Sequence, residues 1–491
     1  MSHPRHVFVL MLENRSFDHF FGQSGLPGVD PPNSANWACT VGAPDRVKQD
    51  MGHELQDVSQ EMQTKNGIPM KGFETIPHAN DAMAEFDKNN LLVLRTLARE
   101  FVLFDNWFSS MPGPTWPNRF FVHAASSGGL TNSPSSWSCF RATTAADCAF
   151  SFENGTVFDR IEKAGKTWRI YHAGTFPQVL AVKGMVDRHD DPTYFRDLNV
   201  GGKYDPFAKD VTSGYAIDYT FLEPDHGIVF GNGDSQHPPF SVAKGERLVK
   251  YVYETIRNSP IWQDSALLVT WDEHGGFFDH INPPPAAPPG DGPLNHGRED
   301  VQPSEFDFTQ LGVRVPALLI SPYVPKGALA SRLFPDVAFD HASIVRSLRE
   351  LLGLGGPLTQ RDNSAPSWLP CFSETSRADC PTQLPVPIES PNPIADQTPN
   401  IEAPPDKATI DGYLLIAHSV DLAMAAKGLT SQTVASEHRP SIQYSTVLRG
   451  LRPGTVPTTE LSPTEKLDYI RQVGMAVMKA KAVAPRPVNG E

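Results

Sequence analysis

Residues 6–12, HVFVLML, form an unbroken apolar run that stops abruptly at Glu13-Asn14-Arg15-Ser16. A run with no polar face predicts a strand buried on both sides, as in a parallel sheet. Residues 266–271, ALLVTW, repeat the pattern and stop at Asp272-Glu273-His274-Gly275-Gly276. Further strands are predicted at 167–171 and 313–321, and an apolar stretch at 101–104 runs into Asp105-Asn106. Between them the period changes to that of a helix. One helix leads from Leu91 towards 101–104, another covers 157–164, Leu248, Val252 and Ile256 mark a third, and a fourth runs over 341–352 to Gly353. Thr115-Trp116-Pro117-Asn118-Arg119 ahead of apolar 120–125 reads as a helix start, with Thr115 at the N-cap and proline in the first turn. Strands alternating with helices argue for an α/β fold with a mostly parallel central sheet and right-handed crossovers.

Composition adds long irregular connections to this picture, because 46 prolines and 37 glycines occur among 491 residues. They gather at 283–293 and over 365–405, and beyond lie two predicted helices at about 406–427 and 463–483. The second opens with the capping box Ser462-Pro463-Thr464-Glu465. The expected organisation is a large body at 1–364, a proline-rich wrapping segment or linker at 365–405, and a helical extension at 406–491. The net charge of −14 comes without clusters of Lys and Arg, which argues against a nucleic-acid partner. No apolar stretch reaches the length of about 18 residues that a spanning helix needs. The N-terminus enters the first apolar run at once, so the expected compartment is cytoplasmic if Met1 is the native start, or exported with the signal removed. Cys139/Cys148 and Cys371/Cys380 share the spacing C-x8-C, which suits two small disulfide loops or free thiols, with Cys39 left over.

Both long strands end in metal-type ligands, Glu13-Asn14 and Asp272-Glu273. In open α/β sheets ligands bind beyond the carboxyl ends of the strands, so both pairs belong on one rim. Three carboxylates and an amide oxygen repel one another unless a cation sits among them, which predicts a divalent metal ion. Taken singly, each pair is also an ordinary cap or turn. A hydroxyl at a helix N-terminus lies where orphan N–H groups and the helix dipole favour an anion, and Arg119, one turn on, can offer that anion forked donors. A cation nearby would lower the hydroxyl pKa and make Thr115 a nucleophile, although by itself Thr115 is simply a good N-cap. Histidines beside turns add donors and acids: His53, His172 after a strand, His237 in QHPP, His274 and His280 in HGGFFDH, and His296. Asp340-His341 reads as the start of the helix behind it.

These residues resemble the bacterial phosphoesterases that include phosphatidylcholine-type phospholipases C and a group of acid phosphatases. The likeness runs through Glu13-Asn14-Arg15-Ser16-Phe17-Asp18, Asp105-Asn106-Trp107-Phe108-Ser109-Ser110, Gly113-Pro114-Thr115-Trp116-Pro117-Asn118-Arg119, His237-Pro238-Pro239, Asp272-Glu273-His274-Gly275-Gly276-Phe277-Phe278-Asp279-His280, Gly312-Val313-Arg314-Val315-Pro316 and Asp340-His341-Ala342-Ser343. It implies an α/β/α sandwich similar to alkaline phosphatase, with the C-terminal helices as an extension. It implies that Glu13, Asn14, Asp272 and Glu273 hold the metal, and that Thr115 is the nucleophile. His53 and His237 then line the phosphate pocket in catalytic roles, with Arg119 and His172 as phosphate ligands. Threonine at the nucleophile position matches the phospholipases C, whereas the acid phosphatases use serine. The Thr-x-Pro-x-Arg pattern is also similar to the sulfatases, but threonine cannot yield their formylglycine, so phosphate esters are favoured. The expected activity is hydrolysis of the glycerol-side phosphodiester of phospholipids, with transient membrane-surface contact. The rivals are an acid phosphatase acting on monoesters and a non-catalytic binding protein on the same fold.

Overall fold

The computed structural model describes residues 4–135, 144–200, 202, 205–229, 231, 233–292, 301, 306–389, 407–427 and 462–483. His296, Cys139 and residues 390–405 of the second proline-rich stretch lie outside them. The strands are β1 (His6–Leu12), β2 (Val102–Phe104), β3 (Trp168–His172), β4 (Phe195–Asp197), β5 (Tyr219–Glu223), β6 (Ser265–Trp271), β7 (Ala317–Ile320) and β8 (Ala328–Leu329). They form one eight-stranded sheet in the order β8-β2-β7-β6-β1-β5-β3-β4. β7 runs antiparallel to both its neighbours, β2 and β6, and the remaining pairs are parallel. The flanking helices are α1 (Leu92–Glu100), α2 (Thr115–Ala124), α3 (Val157–Lys163), α4 (Val242–Arg257), α5 (Ala342–Leu352), α6 (Lys407–Ala426) and α7 (Pro463–Val483). This is the expected sandwich, and no described helix is long and apolar enough to cross a membrane.

The apolar runs explain the centre of the sheet. Every residue of β1 and of β6 is buried, and the two strands pair in register from His6 with Ser265 to Leu12 with Trp271. A matched register makes Glu13 and Asp272 leave the sheet side by side. The strand expected over 313–321 is shorter, because Pro316 has no N–H for the ladder and Arg314 turns to Asp18 and Asp279 in a buried ion cluster. The helix marked by Leu248 begins earlier, at Val242, where the Ser241 hydroxyl accepts from Lys244 N–H.

One continuous core runs from β1 to the C-terminal helices and includes Ile410, Leu414, Leu467 and Ile470. α6 and α7 are tied together by Tyr469, whose hydroxyl donates to Asp421 at 3.0 Å. The described part of the proline-rich stretch lies along α4, where Arg257 donates to the Cys380 carbonyl and Asn258 to that of Thr382. Cys371 and Cys380 are free thiols, both buried, and the Cys380 thiol faces the Arg377 carbonyl. The second disulfide loop is therefore not formed, whereas Cys148 is disulfide-bonded.

Candidate active site

Thr115 is the first residue of α2 and Pro114 holds the cap position, with no side-chain capping bond. The expectation of a threonine N-cap is corrected by one residue, and the correction matters. Released from capping, the buried Thr115 hydroxyl donates to Asn14 Oδ1 at 3.4 Å. Asn14 is held in a left-handed conformation, φ 57°, by its own N–H donating to Asp272 Oδ1 at 3.1 Å. Gly275 permits this turn, because a Cβ there would fall 2.6 Å from Asn14 Cβ. The two acidic strand ends thus lock each other, and Arg15 N–H closes the turn on the Glu273 carbonyl at 2.9 Å.

Arg119 lies one turn further along α2, fully enclosed. Its Nε donates to Asp272 Oδ2 at 3.0 Å, while its terminal nitrogens lie 3.7 Å from Glu13 and 3.8 Å from Glu223 at the end of β5. The forked donors expected at a phosphate therefore face three carboxylates. Gln178 Nε2 donates to Glu13 Oε1 at 2.7 Å and His226 Nδ1 meets Glu13 Oε2 at 2.7 Å. Burial opposes the ionised form of Glu13, but His226 and Arg119 outweigh it and hold its carboxyl well below the usual range. Burial would also lower His226, yet the Glu13 and Glu223 carboxylates raise it to about 9. Burial lifts the Asp272 carboxyl to about 6, against the pull of Arg119. Burying such charges costs several kcal/mol apiece unless they are paired, so Arg119 and His226 are what permit this cluster to fold.

The other members face a different mouth. His53 Nδ1 bonds the Met51 carbonyl at 2.7 Å, so its Nε2 is the acceptor for Asn14 Nδ2 at 3.4 Å and lies 3.9 Å from Glu273 Oε1. His237 Nδ1 bonds the Pro238 carbonyl, and its Nε2 lies 3.6 Å from Asp50 Oδ2. Potential ligand atoms of Asp50, His53 and His237 all fall within 4.8 Å of one another. Glu273 Oε2 is fixed by Gly275 N–H at 2.7 Å and by His274, itself bonded to Glu61 at 2.8 Å. Glu273 Oε1, fully buried, accepts no hydrogen bond among the described residues. Of the four expected metal ligands, Glu13 and Asp272 are engaged by protein donors, while Glu273 keeps a carboxylate oxygen open. His172 ends β3, two strands from β1, with its ring on Gly174, His189 and Phe195.

Several working residues escape the sequence. His226, Gln178 and Glu223 complete the Arg119 cluster, and Asp50 joins His53 to His237. His341 does more than open α5: its Nε2 bonds the Asp272 carbonyl at 2.6 Å, and Trp107 Nε1 donates to its Nδ1 at 3.3 Å. A signal for Glu223 exists, since Tyr219–Glu223 is a third strand ending in an acidic residue.

A family model described as the Phosphoesterase family matches residues 4–355. Non-specific phospholipase C6 of Arabidopsis thaliana is 33% identical over 425 residues, spanning 79% of this chain and 77% of that protein. A non-hemolytic phospholipase C of Pseudomonas aeruginosa is 29% identical over 403 residues, spanning 72% of this chain and 54% of that protein. Among solved structures, a protein of the alkaline phosphatase superfamily from Vibrio parahaemolyticus is similar with a TM-score of 0.33 and 11% identity, over 74% of this chain and 70% of that one. With its strand-end motifs and its helix-start threonine inside the matched span, the chain belongs to the Phosphoesterase family.

Proposed function

We propose that this phosphoric ester hydrolase is a phospholipase C-type phosphodiesterase that cleaves the glycerol-side phosphodiester of phosphatidylcholine-like lipids through Thr115. The observation that carries this is a hydroxyl at a helix N-terminus that caps nothing and points at Asn14, 3.4 Å away, on an acidic rim. Thr115 Oγ1 attacks phosphorus in line and its proton passes to His53, whose Nδ1 is engaged by the Met51 carbonyl so that Nε2 faces the site. The bond from phosphorus to the glycerol oxygen breaks, and His237 protonates the departing diacylglycerol. Water then attacks the phosphocholine-threonine ester with His237 as base, releasing phosphocholine and restoring Thr115. The first N–H groups of α2 and its dipole favour the negative oxygens throughout.

A divalent cation fits the residues present, because Glu273 Oε1 is a buried carboxylate oxygen with no donor upon it. Glu273 and Asn14 would hold it, flanked by Glu13 and Asp272, and its charge would favour the ionised threonine. Thr115→Ala should abolish turnover of p-nitrophenyl phosphocholine while the melting temperature stays that of wild type. Retained turnover would refute the covalent role. Comparison of kcat/KM for p-nitrophenyl phosphocholine and p-nitrophenyl phosphate tests the diester preference, and a monoester preference would make the enzyme an acid phosphatase.

A further inference from the structure

We infer that Gln236 is a positioning residue: it moors the turn that carries His237 to three separate elements and so sets the imidazole in the site. This rests on the leaving-group role proposed for His237 above and adds the residue through which the fold holds it.

Gln236 is fully buried and adopts the left-handed conformation, φ 72°, which a residue with a side chain seldom takes. Such a conformation persists only where its surroundings over-determine it. Here the Gln236 carbonyl accepts two N–H groups of Arg15, just past β1, from Nε at 2.9 Å and from Nη2 at 2.6 Å. Its side-chain oxygen accepts from Trp271 Nε1, at the end of β6, at 2.8 Å. Its side-chain nitrogen donates to the Val242 carbonyl, at the start of α4, also at 2.8 Å. α4 makes room for this chain with Gly245, where a Cβ would stand 2.1 Å from Gln236 Cγ.

Arg15 is itself fixed. Its buried guanidinium lies 4.4 Å over the Phe277 ring, and Nη1 meets His19 Nε2 at 3.2 Å. Because its backbone N–H holds the Glu273 carbonyl, one residue ties the Glu273 end of the site to the His237 end. The mooring has to come from the Gln236 side of the turn. Pro238 and Pro239, which follow His237, have no N–H to donate, and Phe240 N–H closes back onto the His237 carbonyl at 2.8 Å. The His237 N–H also stays within the turn, on Ser235 Oγ at 3.3 Å. The imidazole thus held lies 6.3 Å from the ring of His53. A general acid works only within hydrogen-bond reach of the atom it protonates, so a displacement of about 1 Å in this turn is felt in the rate. The alternative is a buried glutamine that merely satisfies its neighbours.

The test compares two substrates of the full chain. p-Nitrophenyl phosphocholine loses a phenolate that needs no proton, whereas dihexanoylphosphatidylcholine loses a glycerol oxygen that does. Gln236→Met keeps the length of the side chain and removes both of its hydrogen bonds. It should lower kcat/KM by about a hundredfold on the lipid and by about tenfold or less on the nitrophenyl ester. Equal losses on both substrates would mean a purely structural glutamine and overturn the inference. Gln236→Glu keeps the acceptor for Trp271 and removes the donor to Val242. It should show the same bias more weakly, and an unbiased result there overturns the inference even if Gln236→Met folds poorly. His237→Ala, measured alongside, separates the two proposals. A biased loss in His237→Ala with an unbiased one in Gln236→Met sinks the positioning role alone. If His237→Ala is itself unbiased, the leaving-group role falls, and a crystal structure of Gln236→Met decides for Gln236. An imidazole displaced from its wild-type place upholds the mooring, and an unmoved one overturns it.

Discussion

Glu13 and Asp272, the first residues past β1 and β6, turn inward onto Arg119, whereas Asn14 and Glu273, the next in each segment, face Thr115 and His53. The two strand ends carry the same kind of sequence and divide it in the same way. The inner carboxylates are engaged by Arg119, His226, Gln178 and backbone donors, and they fasten α2 to the sheet. The outer groups are held in place from behind and keep an oxygen for chemistry. What separates the roles is where the donors end, since Arg119 and its neighbours engage both inner carboxylates, whereas Glu273 meets His274 and Gly275 through Oε2 and keeps Oε1 open. The cluster around Arg119 is therefore a foundation, and the mouth around Thr115 is where a ligand's charge is still wanted.

That division can be broken at either half. The largest effect on stability should come from Arg119→Met, which strands three buried carboxylates and should cost about 3–5 kcal/mol in chemical denaturation. A loss below about 1 kcal/mol would show that the cluster does not depend on its cation. Glu273→Gln acts on the other half. It should lower kcat/KM by about a hundredfold and reduce the divalent metal measured by elemental analysis, with little change in melting temperature. An unstable Glu273→Gln protein with normal metal content would erase the contrast between the two halves.

A smaller effect sharpens it through pH. His123 sits one turn beyond Arg119 on α2, between Phe158 and Phe221, and burial pushes its pKa down to about 4 from 6.5. Because the folded value is depressed, its contribution is complete above about 6.5 and is lost as the pH falls through 4. Between pH 7 and 4.5 the wild type should lose about 2 kcal/mol more stability than His123→Asn, read from urea unfolding at the two pH values. Equal losses would mean that the fold leaves the His123 pKa where the unfolded chain has it.

How far the sequence discloses this arrangement depends on whether its cause is local. β1 is predicted to the residue and β6 to within one, because a fully buried strand writes itself as an unbroken apolar run. α2 is located to one residue by its prolines, and the acidic pairs are visible as ligand types at strand ends. β5 is missed, since its five residues YTFLE include two polar groups and run straight into Pro224, leaving neither an apolar run nor an alternation. With β5 go Glu223 and His226, and so the partners that claim Arg119. The direction of Arg119 is set by three strand ends that meet only in the fold, so spacing along α2 cannot distinguish a phosphate ligand from a counter-cation.

The most direct test of the division is to trap the intermediate. Full-length enzyme mixed with excess p-nitrophenyl phosphocholine and quenched in acid within the first turnover should show a burst of p-nitrophenol, with the phosphocholine mass on the peptide that carries Thr115. A burst with Thr115 unmodified, or the adduct on a residue of the Arg119 cluster, would contradict the assignment of chemistry to the outer mouth.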